Sequence, residues 1–207
     1  MKKLLLSLTI SAAALTASAQ TSPVKFGVKA GVTFPTLSIS EDEDGAVKSN
    51  TGFYVGGTVD FGISEMFSLQ PGLTLSNKGA KMDILGVTAK TNLMYIELPV
   101  NALVNIPVGD GKVFVGGGPY YGMAISGKNK VSGSFEGESV SESEDIEFGD
   151  DGEFKRGDFG VNFLGGYQLN NGFNIHAGYG LGLSNISNDS DAKTKNRVFS
   201  VGVGFSF

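Results

Sequence analysis

Strict alternation of apolar and small polar residues marks the end of the chain, RVFSVGVGFSF at positions 197–207. The apolar members are Phe199, Val201, Val203, Phe205 and Phe207. A period of two indicates a β-strand with one apolar face. The opposite face has almost no charge and little bulk, unlike the solvated face of a soluble strand. The pattern favours a strand whose apolar face meets lipid and whose small face lines a narrow barrel.

Seven earlier segments alternate in the same way. The predicted strands are residues 24–34, 51–62, 66–77, 91–106, 112–126, 155–169, 173–185 and 197–207. The connections after the second, fourth and sixth strands are short, and the other four are long. Short turns at one rim and long loops at the other are typical of outer-membrane barrels. The chain is therefore predicted to be all-β, an eight-stranded antiparallel up-and-down transmembrane β-barrel.

Aromatic residues cluster at the ends of the predicted strands. Those near the short-turn rim are Phe26, Phe61, Phe67, Tyr167, Phe173 and Phe207. Those near the long-loop rim are Phe34, Phe53, Tyr121, Phe159 and Phe199. Two such girdles are expected where rings lie at the two membrane interfaces. Phe163, near mid-strand, does not fit this pattern.

The first residues have the features of an export signal. Lys2 and Lys3 precede a short apolar run at 4–15, and Ala17-Ser18-Ala19 is a small-residue cleavage site. The run is too short to span a bilayer. Residues 1–19 are predicted to be a signal peptide, and residues 20–207 a single barrel domain.

Three stretches carry a family resemblance over essentially the whole mature chain. FGVKAGVTF at 26–34, YIELPVNALVNI at 95–106 and the glycine-aromatic strands ending in phenylalanine resemble the Bacteroidota outer-membrane β-barrel family, often called porin-family or PorT-like. The resemblance implies eight strands and location in the outer membrane, but little about activity. The aromatic terminus is similar to the closing strand of bacterial barrels, which implies that Phe207 is an assembly signal for the barrel-assembly machinery.

Composition excludes several classes of protein. Without Lys2 and Lys3, fourteen basic residues oppose twenty-one acidic ones, a net charge of about −7 that argues against binding nucleic acid. The chain has no cysteine, hence no disulfide or thiolate metal site. The 31 glycines alternate within strands and open no phosphate-binding loop. We expect no cofactor.

Charged residues occur on the predicted inward faces. They are Lys25, Lys29, Asp60, Glu97, Lys112, Arg156, Asp158 and Arg197. Buried charges must be paired, and an eight-stranded barrel has room only for packed side chains. These residues, with His176, are predicted to form a structural network in the lumen, with Glu97 paired to Lys29 or Arg197. A water-filled lumen would instead make a narrow path for ions or small solutes.

Two further features have competing interpretations. His176, the only histidine, lies close to the short-turn end, so it is interpreted as a structural residue and not as a catalytic base. Residues 127–154 contain nine acidic side chains and are predicted to form a solvated loop. The alternative for this loop is binding of divalent cations or of a cationic partner at the cell surface.

Four functions are compatible with the sequence. The favoured one is a non-enzymatic structural or surface-interaction barrel in contact with membrane lipids. A small porin-like channel is the main alternative, and bilayer conductance separates these two. An outer-membrane enzyme acting on lipid or peptide would need His176. A soluble lipocalin-like binder fits the lipid-facing pattern least well.

Overall fold

The computed structural model describes residues 24–39, 47–84, 87–135, 138–149, 152–189 and 193–207. The predicted signal peptide lies outside these residues. The strands are β1 (Val24–Ile39), β2 (Val47–Lys48), β3 (Gly52–Gly62), β4 (Phe67–Ile84), β5 (Val87–Val108), β6 (Gly111–Phe135), β7 (Glu138–Asp145), β8 (Gly157–Leu169), β9 (Phe173–Gly182) and β10 (Thr194–Ser206). Within the described part of the chain, no helix is long and apolar enough to cross a membrane.

Eight of these strands form a closed antiparallel ring. Their order is β4-β3-β1-β10-β9-β8-β6-β5, and β5 pairs back to β4. The first and last ring strands pair from Gly27↔Ser206 to Ile39↔Thr194. Closure leaves no unpaired edge in the ring, as a sheet surrounded by lipid requires. The predicted eight-stranded barrel is confirmed.

The two faces of the ring differ in the way that alternation predicts. Adjacent tyrosines show it most clearly, since Tyr120 is 2% exposed and Tyr121 is 52% exposed. Aromatic pairs stack across the β1–β10 seam at both rims, Phe26 with Phe207 at 6.5 Å and Phe34 with Phe199 at 6.2 Å between ring centroids. The outward face is an apolar band bounded by these rings.

The short turns lie together at one end of the ring, which we call the short-turn end. They follow β3, β5 and β8, as predicted. Gly109 and Gly172 have φ values of +56° and +94°, which glycine adopts without strain and which these turns require. The opposite end is called the long-loop end.

Two predicted loops at the long-loop end are largely strand. Residues 78–90 continue β4 and β5, which pair as far as Ile84↔Val87, and most of 127–154 is the β6–β7 hairpin. Together β2, residues 77–84, 87–94 and 126–135, and β7 form a sheet that we call the protruding sheet. The prediction was wrong because strands beyond the membrane need no apolar outward face, so the alternation that reveals a strand disappears.

Candidate functional site

Glycines on the inner wall make room for large lumen side chains. A Cβ atom at Gly202 would collide with the Tyr54 hydroxyl, and one at Gly31 would lie 2.7 Å from the Tyr54 ring. At Gly160 a Cβ would lie 2.6 Å from the Tyr120 ring. The lumen is too narrow for every strand to carry a large inward side chain. The alternating glycines therefore leave the space that the tyrosine side chains occupy.

A buried lysine is the centre of the lumen's charge network. Lys78 on β4 is 2% exposed, and its Nζ lies 2.7 Å from Asp158 Oδ2 and 2.5 Å from Glu97 Oε1. The ammonium also lies over two rings, 4.9 Å from the centroid of Tyr95 and 4.3 Å from that of Tyr120. Ion pairs and ring faces thus replace the water that a buried ammonium loses.

Asp158 has hydrogen-bond donors on both of its oxygens. Besides Lys78, the Tyr120 hydroxyl donates to Oδ2 at 3.1 Å and Asn196 Nδ2 at 2.9 Å. Ser184 Oγ donates to Oδ1 at 3.0 Å. Asp158 thus accepts four hydrogen bonds, one of them from a cation. Strands β4, β6, β8 and β10 are therefore joined across the lumen through one aspartate.

The network lies at the level of the aromatic girdle at the long-loop end. Asp158 directly precedes Phe159, and Glu97 precedes Leu98, whose register partner is Tyr121. Glu97 and Asp158 each lie eleven residues from the short-turn end of their strands, Val108 and Leu169. A membrane-spanning strand needs about 9–11 residues. The network therefore occupies the long-loop mouth of the lumen.

An apolar lid lies on the network. We use "lid" for residues 146–149, 152–155 and 185–189, from the two connections that follow β7 and β9. Ile146 and Ile186 of the lid are buried against inward residues of the ring. This buried cluster consists of Leu37, Ala80, Leu93, Tyr95, Ala124, Ile146 and Ile186. Apolar packing thus closes the mouth above the charged layer.

Hydrogen bonds from the backbone and from a side chain join the two parts of the lid. Lys155 N donates to Ile186 O at 2.8 Å, and Asn188 Nδ2 donates to Gly152 O at 2.8 Å. Phe154 forms β-bridges with both Phe148 and Ser187. The lid is therefore one connected layer.

Below the network the lumen contains a polar cavity of about 120 Å³. Its wall includes Lys29, Asn101, Asn162, His176 and Ser200. Asp60, Lys112 and Gln168, near the short-turn end, also line it and are only half-buried. Lys78 and Asp158 at the opposite end are almost completely buried. Solvent access to the cavity is therefore from the short-turn end.

His176 is held by two hydrogen bonds. Its Nδ1 lies 2.8 Å from Asn174 Oδ1, an acceptor, so Nδ1 carries the proton and donates. Its Nε2 then accepts from the Tyr54 hydroxyl at 2.6 Å. Both ring nitrogens are thus occupied, and their hydrogen-bond partners among the described residues are Tyr54 and Asn174.

The other predicted lumen residues have separate positions. Lys29 lines the cavity, with Nζ 5.9 Å from the Tyr54 ring centroid and no described carboxylate within 4 Å. Asp60 Oδ2 accepts from Gln70 Nε2 at 3.2 Å. Lys25, the register partner of Asp60, is exposed, as is Arg156. Lys112 lines the cavity near its opening.

Two of the predictions about this network were wrong. Glu97 pairs with Lys78, not with Lys29 or Arg197. Arg197 lies on the outward face with Phe199, since Asn196 and Val198 on either side of it are the buried, inward residues. Lys78 was missed because it was assigned to a loop. Thr74, Ser76 and Lys78 occupy alternate positions of one strand, so continuing the strand would have placed Lys78 on the inward face.

We looked for a metal site in the side chains of the barrel. Among the described residues, there is no group of three or more histidine or acidic side chains that could hold a metal ion. The acidic residues of 127–154 in the described ranges belong to the β6–β7 hairpin and to the lid. Their binding of divalent cations or of a cationic partner stays a prediction.

Sequence comparison identifies the family. The profile of the outer membrane protein beta-barrel domain matches residues 18–188, most of the chain. The chain belongs to this family. This outer-membrane barrel therefore has its short-turn end at the periplasm and its long-loop end at the cell surface, and its outward apolar band contacts the membrane lipids. Among curated proteins, none matches the chain in sequence.

Solved structures that are similar to this chain include three bacterial proteins. Ail of Yersinia pestis is 16% identical, with a TM-score of 0.43, over 88% of this chain and 98% of that one. Neisserial surface protein A is 16% identical, with a TM-score of 0.45, over 88% and 97%. CarO2 of Acinetobacter baumannii is 11% identical, with a TM-score of 0.47, over 87% and 98%. At this level of similarity, any function must be argued from the barrel itself.

Proposed function

We propose that this protein is a non-enzymatic outer-membrane barrel with a closed lumen, which acts through its protruding sheet at the cell surface. The observation that carries the proposal is the two-layer closure of the outer mouth. Lys78, Glu97 and Asp158 fill the lumen at the outer girdle, and the apolar lid covers them. A solute crossing the barrel would have to displace both layers.

Conductance of the purified barrel in a planar bilayer tests this closure. We expect no stable conductance steps, because breaking a buried ion pair costs several kcal/mol, about 3–5 by analogy with other proteins. A large general porin, inserted under the same conditions, is the positive control. Reproducible steps from the wild-type barrel would overturn the closed lumen and favour the small porin-like channel.

The absence of enzymatic activity is part of the proposal. His176, the only histidine of the chain, has both ring nitrogens engaged by Tyr54 and Asn174, so it has no free nitrogen to activate a serine. Incubation with a serine-reactive fluorophosphonate probe should give no labelled barrel. Labelling that disappears in a His176→Gln variant would contradict the proposal.

The processing and assembly of the chain belong to the same proposal. Export by cleavage after Ala19 leaves residues 20–207 as the mature barrel, and the assembly machinery reads Phe207. The segments at 26–34 and 95–106 support membership in the Bacteroidota group of small barrels. The intact mass of the protein from the outer membrane should correspond to a chain beginning at Gln20, and the mass of the uncleaved chain would refute the cleavage.

A further inference from the structure

Four lysines stand side by side on the protruding sheet. Lys48, Lys81, Lys90 and Lys130 are successive register partners across β2, β4, β5 and β6. Register partners point to the same face, and neighbouring strands are about 4.8 Å apart. Four ammonium groups thus lie along a line on the order of 15 Å long. We call this the lysine row.

Such a row is unfavourable on its own, since like charges directly opposite each other in a sheet are destabilising. Asp83 offsets one end, with Oδ2 3.0 Å from Lys81 Nζ and 3.5 Å from Lys48 Nζ. Lys90 and Lys130 have no carboxylate within 4 Å among the described residues. The half of the row that Lys90 and Lys130 form therefore lacks a counter-charge from the described residues.

The acids of the neighbouring strand do not neutralise the row. On β7 the partner of Lys130 is Ser143, while Glu142 and Glu144 pair in register with Val131 and Asn129 and so lie on the other face. Asp145 lies on the same face as Lys130, but it is the register partner of Lys128 and pairs with that lysine at 3.4 Å. The face that carries the lysine row therefore has an excess of basic residues, although the whole chain is acidic.

The basic face points away from the barrel axis. Lys81 follows Ala80 on β4, and Ala80 is buried in the lumen-side cluster. Neighbouring residues of a strand point to opposite faces, so Lys81 and its register partner Lys90 point outward. Lys90 shares its face with Ile96 and Leu98, which are exposed in the apolar band. The lysine row therefore continues the lipid-facing side of the barrel above the membrane.

The height of the row decides which molecules it can meet. Lys90 lies eight residues beyond Leu98 on β5. With the usual strand rise and barrel tilt, this places it on the order of 20 Å above the outer girdle. The polar headgroup layer of a bilayer leaflet extends only about 5–8 Å beyond the hydrocarbon. A membrane partner of the row must therefore extend beyond the headgroup layer, as the saccharide portion of an outer-leaflet glycolipid does.

We propose that the lysine row binds the phosphate-bearing saccharides of glycolipids in the surrounding outer leaflet. Ammonium and phosphate groups form charge-assisted hydrogen bonds, and a bound phosphate replaces the counter-charge that Lys90 and Lys130 lack. The inference deepens the proposed surface role and rests on it. It names the partner of the protruding sheet and makes no use of the lumen.

The test measures binding of a rough lipopolysaccharide with an intact phosphorylated core to the folded barrel in a nonionic detergent, by microscale thermophoresis. The test variant is Lys90→Gln/Lys130→Gln. The matched control is Lys25→Gln/Lys155→Gln, which removes two exposed lysines outside the row. Heat-modifiable migration on gels confirms that each barrel is folded.

We expect the wild type and the control to bind alike, and the test variant to bind at least about tenfold more weakly. The same ligand after enzymatic removal of its phosphates should lose a similar factor, and added salt should weaken binding of the wild type.

Equal binding by the test variant, or of the dephosphorylated ligand, overturns the proposal. Equal binding of anionic phospholipid vesicles overturns the argument from height. The barrel could instead bind a soluble sulfated polymer and not the glycolipid. This result would place the partner outside the membrane and would also overturn the proposal. Ion conductance of the wild-type barrel would refute the closed lumen, but the comparison of glycolipid binding between the variants would still test the lysine row.

Discussion

Lys78 Nζ and Asp158 Oδ2 lie 2.7 Å apart and join strands β4 and β8 across the lumen at the level of the outer girdle. By the shorter way round the ring, two strands, β5 and β6, lie between them. The pair is therefore a cross-brace of the barrel as well as part of its closure.

Removal of the cation should be the most damaging change to this network. In Lys78→Met, Glu97 and Asp158 lose their shared partner while both stay in a nearly dry site. We expect a loss of about 3–5 kcal/mol in the free energy of unfolding. Urea unfolding in lipid vesicles measures it, and Lys48→Met, whose side chain is 58% exposed, is the control, with a loss below about 1 kcal/mol. Equal losses in the two variants would contradict a dry network.

Glu97→Ala should be milder than Lys78→Met. Lys78 keeps Asp158 in this variant, so no cation is left unpaired. The expected loss is about 1.5–3 kcal/mol, the contribution of one charged hydrogen bond. The same urea titration gives the order of the two variants, and a larger loss in Glu97→Ala would mean that Glu97 and not Lys78 is the centre of the network.

The tautomer of His176 follows from its two partners. Nitrogen chemical shifts of the folded barrel should show a neutral ring protonated on Nδ1, because Asn174 Oδ1 can only accept. In Tyr54→Phe, which removes the donor to Nε2, the resonance of that nitrogen should change most. A ring protonated on Nε2 would contradict the hydrogen-bond pattern of the lumen.

The eight ring strands could be predicted from the sequence because lipid requires an apolar outward face on each of them. Every ring strand needs apolar residues at alternate positions, so their number, direction and inward faces could be read. That rule ends above the girdle. Lys78 follows Leu75 by only three positions, yet the outward residue between them is Asn77, and the strand was taken to end there.

Arg197 shows the opposite error at the same boundary. Its parity with Phe199 places it on the outward face, but it was predicted to face inward with the other charged residues. Just above the membrane an outward charge meets water or headgroups, so the expectation does not apply there. The partners of Asp158 come from four other segments of the chain, and only the register of the closed ring shows which side chains share a level.

Deletion of Phe207 should slow assembly more than it lowers stability. Its backbone exchanges hydrogen bonds with Phe26, N to O at 2.8 and 3.0 Å, but its ring is 68% exposed on the lipid face. Pulse-chase labelling in cells, with heat-modifiable migration as the readout, follows assembly. Phe26→Ala, which removes the stacked ring but keeps the terminus, is the control. Equal assembly rates for the deletion and the wild type would argue against a terminal signal.

Asp83→Asn should strengthen binding of phosphorylated glycolipid, because it removes the anion beside Lys81 and Lys48. The Thr88 hydroxyl, which donates to Asp83, lowers the pKa of the carboxyl, with a further contribution from Lys81. The charged carboxylate therefore stabilises the sheet at neutral pH, and this stabilisation is lost as the pH falls through the lowered pKa. The ratio of variant to wild-type affinity should therefore approach one only at a pH below the ordinary titration range of an aspartate. A ratio of one at neutral pH would count against the lysine row.

Directional access to the lumen tests the closed outer mouth most directly. The chain has no cysteine, so Ser200→Cys places a single thiol on the cavity wall. A small, charged thiol reagent is added to intact cells and, separately, to cells whose periplasm has been opened. The account predicts labelling of Ser200→Cys only when the reagent reaches the periplasmic side. Labelling at the same rate from the outside of intact cells would contradict a lumen closed by Lys78, Asp158 and the lid.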